Sequence, residues 1–184
     1  MHTEVHVHGT VTLKNGVSQS EVEHALAPWL SYVDIENLGE ARSAHQDEPG
    51  IVFDRRRRAL EICWTGWVGR NFQKALEGAF EQLCPFAEEA AGVEVTYYHE
   101  DGRDERSMVF VGPSQESIEA TQRQYMLEDL QHLLARHFSD AEIAEVTGLV
   151  NQMFDRRWSA RGAEPVTGTS ERPTRAPGGK RHLH

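Results

Sequence analysis

Two histidines one residue apart, His6 and His8, lie in an N-terminal stretch that also carries His2 and Glu4. On a β-strand these alternate residues fall on one side, with successive side chains about 6.5–7 Å apart. Neutral imidazole is a good ligand for zinc and related divalent ions, so His6 and His8 are the candidate metal ligands. A catalytic zinc site takes three protein ligands and keeps one position open. His24, His45, His99 and Glu100 are the candidates for the third ligand. The same spacing also describes a polar, solvent-facing strand that happens to use histidine.

Two further groups could bind rather than react. Arg55, Arg56, Arg57 and Arg58 form the one dense basic run, in a segment that reads as a hairpin tip. Such a tip could clamp a phosphate, a carboxylate or an acidic partner, or simply block edge-to-edge sheet association. Four like charges so close call for counter-charge nearby. Trp67 falls off the apolar face that Trp64 continues, which leaves it available to a ligand pocket or an interface. Gly66 to Asn71 leads into a helix N-terminus, a place where anions can bind, but without the spacing of a phosphate-binding glycine loop. The ionisable residues His99 to Glu105 crowd a turn, where a solvated loop accounts for them. No nucleophile arrangement is visible. Cys63, between Ile62 and Trp64, reads as a small buried hydrophobe, and Cys84 lies beside a proline on an apolar stripe.

Composition sets the outer limits. The chain has 184 residues, 19 Lys+Arg against 29 Asp+Glu, a formal net charge of −10 and 39% hydrophobic residues. Residues 161–184 carry five basic and two acidic groups, so the first 160 residues hold −13. An acidic body disfavours direct nucleic-acid binding, because phosphate contacts require a basic surface. It suits a basic partner, or imitation of nucleic-acid phosphate. Two cysteines in unrelated contexts make neither a disulfide framework nor a four-ligand zinc motif. No apolar run approaches the roughly 20 residues of a membrane span. The first residues lack the pattern of a signal peptide. A reducing cytoplasm is the expected compartment.

Element signals run the length of the chain. Val5, Val7, Val11 and Leu13 alternate with polar residues, which predicts a strand over 3–13. Ser18 and Glu21 have capping-box spacing, and Val22, Ala25, Leu26, Trp29 and Val33 share a helical face. Pro28 should kink or end that helix near Ala27. Residues 33–49 read as irregular or as an edge strand. Residues 51–67 read as a hairpin pairing Phe53 with Leu60 and Ile51 with Ile62. A second amphipathic helix spans 71–83, with a short continuation to Ala91. A second hairpin is centred on Asp101-Gly102, pairing Val93 with Phe110, Val95 with Met108 and Tyr97 with Arg106. Two helices follow over about 115–137 and from Ser139 through Trp158. Proline, glycine, serine and threonine then dominate, and residues 160–184 are expected to be disordered.

This order predicts an α+β fold: an antiparallel-rich sheet with helices on one face, a C-terminal helical hairpin and a loose tail. In topology it resembles a ferredoxin-like split βαβ arrangement, a resemblance that carries no catalytic residues. The expected division is a sheet domain over 1–112, the helical hairpin over 113–159 and the tail over 160–184. The leading functional expectation is a non-catalytic acidic interaction protein and homodimer. It would inhibit or regulate a basic or nucleic-acid-binding partner, as a phage or mobile-element protein could, and would need no cofactor. One alternative is a small metal-dependent hydrolase holding a divalent metal such as zinc on His6 and His8. Another is a small-ligand sensor with Trp67 and the arginine tip at its pocket.

Overall fold

The computed structural model describes residues 2–100 and 102–162, with side chains through Arg156. One compact unit runs to His137 and a second begins at Phe138. The fold is α+β, with a five-stranded antiparallel sheet and, among the described residues, four α-helices. The strands are β1 (Thr3–Thr12), β2 (Gly50–Asp54), β3 (Ala59–Val68), β4 (Ala91–Tyr98) and β5 (Glu105–Val111). The helices are α1 (Gln19–Tyr32), α2 (Phe72–Leu83), α3 (Gln115–Leu134) and α4 (Asp140–Gly162). The strand order is β2-β3-β1-β4-β5. The segment β1–α1–β2 therefore leaves one strand position between its ends, filled by β3, and β3–α2–β4 does the same around β1.

The central strand follows its sequence pattern. Val5, Val7 and Val11 are fully buried, whereas His6 is half-buried and His8 exposed. The strand therefore divides the sheet into a core face and an open face. The capping box forms as the spacing predicts: the Ser18 N–H donates to Glu21 Oε2 at 2.8 Å and the Glu21 N–H to Ser18 Oγ at 3.3 Å. Contrary to expectation, α1 does not end at Pro28 but continues to Tyr32. A proline inside a helix costs about 3 kcal/mol. Trp29 and Leu30, just beyond it, are both buried. Each such side chain gains roughly 1.5–3 kcal/mol from burial, which offsets the proline.

Residues 33–49 contain no strand. A 3₁₀ turn at Leu38–Glu40 leads into an irregular loop that ends at Gly50. Gly50 has φ +83°, and a Cβ there would lie 2.1 Å from the Ala41 carbonyl oxygen. Glycine alone lets the loop close this tightly before β2 begins. The expected helical continuation to Ala91 is also absent. The chain makes a 3₁₀ turn at Cys84–Phe86, and Ala87 then bridges to Leu13. The Lys14 N–H donates to the Phe86 carbonyl at 2.8 Å and the Glu88 N–H to the Thr12 carbonyl at 2.9 Å. Pairing with the end of β1 captures this backbone before helix can propagate.

The β2–β3 hairpin has the expected register, with Phe53 opposite Leu60 and Ile51 opposite Ile62. The β4–β5 hairpin does not. Val93 faces Val109, Val95 faces Ser107 and Tyr97 faces Glu105, a slip of one residue. Of the expected Asp101-Gly102 turn, Asp101 lies outside the described residues. Gly102 lies within a six-residue connection, 99–104, in which its N–H, at φ +73°, donates to the His99 carbonyl at 2.9 Å. A one-residue slip exchanges the faces of a strand. Val109 and Val111 accordingly turn to the core face, and Met108 and Phe110 to the open face.

That exchange explains where α3 lies. Phe110 meets Tyr125 of α3 edge-on at 5.7 Å, so α3 covers the open face over β4 and β5. The helices α1 and α2 share the core face, as expected of the sheet domain, and α3, the first helix of the expected C-terminal hairpin, lies on the other. The core is built around Phe72, whose ring contacts Trp29, Tyr32, Trp64 and Tyr97. Trp64 lies flat over Gly66, where a Cβ would come within 2.3 Å of the indole.

The helix α4 is capped as its sequence predicts, with the Ser139 N–H donating to Glu142 Oε2 at 2.9 Å. It leaves Val146, Leu149 and Met153 exposed along one stripe, at 39%, 55% and 60%. It runs to Gly162, slightly past the expected start of the tail. The remainder of that expected disordered tail, 163–184, lies outside the described residues. No described helix is long and apolar enough to cross a membrane.

Candidate metal centre on the open face of the sheet

The open face takes the even residues of β1 and the odd residues of β3. Register places Glu4 opposite Trp67, His6 opposite Thr65, His8 opposite Cys63 and Thr10 opposite Glu61. On the other side of β1, Thr96 faces His6 and Glu94 faces His8. The open face thus gathers ligating and ionisable groups at its centre.

His6, His8 and Cys63 each present a ligand atom, and all three atoms lie within 4.8 Å of one another. The two imidazoles stack at 5.9 Å with 12° between their planes. A tetrahedral zinc ion, with bonds of about 2.0–2.3 Å, sets its ligand atoms roughly 3.3–3.6 Å apart. The three groups stand on two paired strands, and a side-chain shift of about an ångström separates the 4.8 Å limit from that spacing. Imidazole together with thiolate suits zinc or another borderline-soft ion. Three protein ligands leave a fourth position open, the pattern of catalytic rather than structural zinc.

The third ligand is none of the residues expected from sequence. His45 Nε2 lies 3.2 Å from Glu4 Oε1, and His99 Nε2 lies 3.7 Å from Glu105. His24 belongs to α1 and Glu100 to the β4–β5 connection. Cys63 is the residue whose ligand atom lies with those of His6 and His8, and its reading as a buried hydrophobe is corrected: it is half-buried and turned to the open face. The signal was present in the sequence. Leu60, Ile62 and Trp64 occupy the core face, so strict alternation sends Cys63 to the side of His8. Burial, with the nearby Glu48 and Asp47 carboxylates, pushes the Cys63 thiol above its ordinary range. The metal-free site therefore holds a thiol, and a bound cation would displace its proton.

A second set of polar groups reaches the site from the irregular loop before β2. The Thr65 hydroxyl donates to Glu48 Oε1 at 3.1 Å, and the Ser43 hydroxyl donates to Glu48 Oε2. The Thr65 N–H donates to Ser43 Oγ at 2.8 Å, and the Ala44 N–H to the Thr65 carbonyl at 2.9 Å. These bonds tie the loop along β3 beyond the point where β2 stops. His6 Nδ1 is 2.9 Å from Thr65 Oγ1 and 3.4 Å from Glu48 Oε1. Burial raises the Glu48 carboxyl, but the bonds from Ser43 and Thr65 and the facing His6 and His45 outweigh it. The net result is below the usual carboxylate value. Glu48 is thus held as a carboxylate beside the imidazole. Sequence reading offered only His45 from this loop and gave Ser43 and Glu48 no role, since their partners are distant in sequence.

The other sequence candidates are placed apart from one another. Two of the tip arginines, Arg57 and Arg58, meet the counter-charge that the run's density calls for. Arg57 pairs with Glu61, Arg58 with Glu88 at 3.3 Å, and Asp54 Oδ1 accepts the Arg56 and Arg57 N–H groups at 2.8 and 3.0 Å. Trp67 is 64% exposed at the opposite end of β3. Nine residues at about 3.3 Å each separate it from Arg58 by roughly 30 Å. A single small-ligand pocket does not contain both. A cleft of about 660 Å³ does open beside His8, between the sheet and α3, with Glu94, Arg106, Met108, Tyr125 and Asp129 among its walls.

No curated protein and no solved structure matches this chain. A family model does: it covers residues 3–155 and describes a family of unknown function. The chain is therefore a member of that family, DUF6806.

Proposed function

We propose that this protein binds a divalent transition-metal ion, zinc by ligand preference, through His6, His8 and Cys63, and that metal-assisted hydrolysis is its reaction class. The observation that carries this reading is the convergence of three ligand atoms from two paired strands within 4.8 Å. The cleft beginning at His8 gives a substrate somewhere to lie against the centre. A bound metal there would polarise a substrate oxygen or lower the pKa of water. The chain's own residues would hold the ion, keep its fourth position clear and shape the cleft.

Native mass spectrometry of protein purified without chelator tests the reading. One metal per chain is expected, and it should be lost from His6→Ala/His8→Ala and from Cys63→Ser while the fold persists. A metal-free chain that also fails to take up added zinc would overturn the reading. So would unchanged stoichiometry in those variants.

The exposed stripe of Val146, Leu149 and Met153 on α4 favours a second reading, a homodimer or another protein partner. With a net charge of −10, it fits an acidic interaction protein whose partner is basic. Light scattering would show a dimer that Leu149→Lys converts to monomer; a monomeric wild type leaves that stripe without this role. At the level of fold, a ferredoxin-like split βαβ unit is the reading we favour for β1 to β4. It is supported by two crossovers that each span one strand and by helices α1 and α2 sharing a face. The strand β5 and helix α3 would be additions to it.

A further inference from the structure

We infer that Glu48 and Thr65 are positioning residues for the metal centre, fixing the tautomer of His6 so that its Nε2 lone pair faces the ion. This rests on the metal-binding reading and adds to it a pair of residues that do not touch the metal.

A hydroxyl has one hydrogen to give and two lone pairs to accept with. Thr65 gives its hydrogen to Glu48 Oε1 at 3.1 Å, because a carboxylate can only accept. The contact of 2.9 Å between Thr65 Oγ1 and His6 Nδ1 can then be satisfied in only one sense: Nδ1 carries the proton and donates it to Thr65. The second Glu48 contact, 3.4 Å from the same nitrogen, acts in the same direction. A neutral imidazole protonated at Nδ1 holds its lone pair at Nε2. Carboxylate–histidine arrangements of this kind orient ligating rings, and their loss typically costs 10–100-fold in metal affinity. Here the carboxylate works through an intervening hydroxyl.

The scaffold around Glu48 is consistent with a fixed role. Ser43 holds its other oxygen and is itself tied to the Thr65 N–H. Gly50 closes the loop at φ +83°. The loop that delivers Glu48 is thereby tied to β3, the strand that carries Cys63, through Ser43 and Ala44 at one end and Gly50 at the other.

The test is a cobalt and zinc titration of the full chain, read by the thiolate-to-cobalt absorption band, by competition for zinc and by the melting temperature of the metal-free protein. Thr65→Val and Glu48→Gln should each bind roughly 10–100-fold more weakly than wild type. Thr65→Ser, which keeps the hydroxyl, should restore binding to near the wild-type level. At saturation all should show the wild-type cobalt spectrum, since the ligands are unchanged. A purely structural role would instead lower the metal-free melting temperature in step with affinity.

Wild-type affinity in both Thr65→Val and Glu48→Gln, with binding still lost in Cys63→Ser, would overturn the positioning role and leave the metal site standing. An altered saturated spectrum in Glu48→Gln, with Thr65→Val unaffected, would make Glu48 a direct ligand and overturn it as well. A wild-type chain that takes up neither ion removes both readings together.

Discussion

The two faces of this sheet are built by the same strands and obey opposite rules. On the core face, Val5, Val7, Leu60, Ile62 and Trp64 meet α1 and α2, and every one is buried. Their contacts are many and individually small, so binding energy is spread over the whole layer. On the open face, Glu4, His6, His8, Cys63 and Thr65 meet their neighbours through a few directional contacts. Much of that face stays in water. The difference shows how a strand can carry fold and chemistry at once: one parity of residues provides stability, and the other is free to be polar without weakening the core. Mutations on the two faces should therefore separate stability from metal binding.

The largest expected effect is on the core face. Phe72→Ala removes the ring at the centre of four aromatic contacts and should cost about 3–5 kcal/mol by denaturant unfolding. Next comes the open face with its ion. Zinc at 100 times its dissociation constant should stabilise the wild type by about 2.7 kcal/mol. Cys63→Ser should abolish that increment and leave the metal-free stability close to wild type. If Cys63→Ser is instead as damaging as a core substitution, the separation of the faces fails. Gly66→Ala is an intermediate case, because the added methyl displaces the Trp64 indole from β3. Overpacking of this kind typically costs 1–3 kcal/mol, and a change in tryptophan fluorescence should accompany it.

The smallest effect is one of pH. The Glu48 carboxyl is lowered in the folded protein from an ordinary value of 4.5. The unfolded chain therefore binds this proton more readily than the folded one. The resulting stability is fully present above about pH 4.5 and is lost as pH falls through the lowered folded value. Metal-free Glu48→Gln should accordingly lose less stability than wild type on acidification below that point. Parallel curves for the two proteins would show that Glu48 makes no such contribution.

The two hairpins show how much of this was legible. In β2–β3 the turn is a compact four-arginine tip, and pairing Ile51 with Ile62 and Phe53 with Leu60 puts all four on one face. Any other register would break that match, so the pattern alone sufficed. In β4–β5 two registers are locally acceptable. One pairs Val95 with Met108 across an Asp-Gly turn; the other pairs it with Ser107 across a longer loop. Local pairing favours the first. The register found puts Phe110 on the open face against Tyr125 of α3, a partner that no local pattern contains. Pro28 is a similar case, since burial of Trp29 and Leu30 overrides a strong local signal.

The candidate site divides along the same line. Period-2 alternation in β1 put His6 and His8 on one polar face, and the same alternation in β3 already implied that Cys63 shares a side with Trp67. Cys63 as the third member of the candidate site could thus be read once the two strands were known to be neighbours. That adjacency was not readable, because a strand's edge hydrogen bonds do not encode which partner will use them. Nor could the sequence show that an irregular loop would carry Glu48 onto His6. That placement depends on the tight closure at Gly50 and on bonds to Ser43 and Thr65 across 17 to 22 positions. The sequence by itself determined which residues are polar and which faces of β1, β2 and β3 turn to the core. Tertiary structure decided which of those faces meet, since directional contacts between distant segments exist only after the core has brought them together.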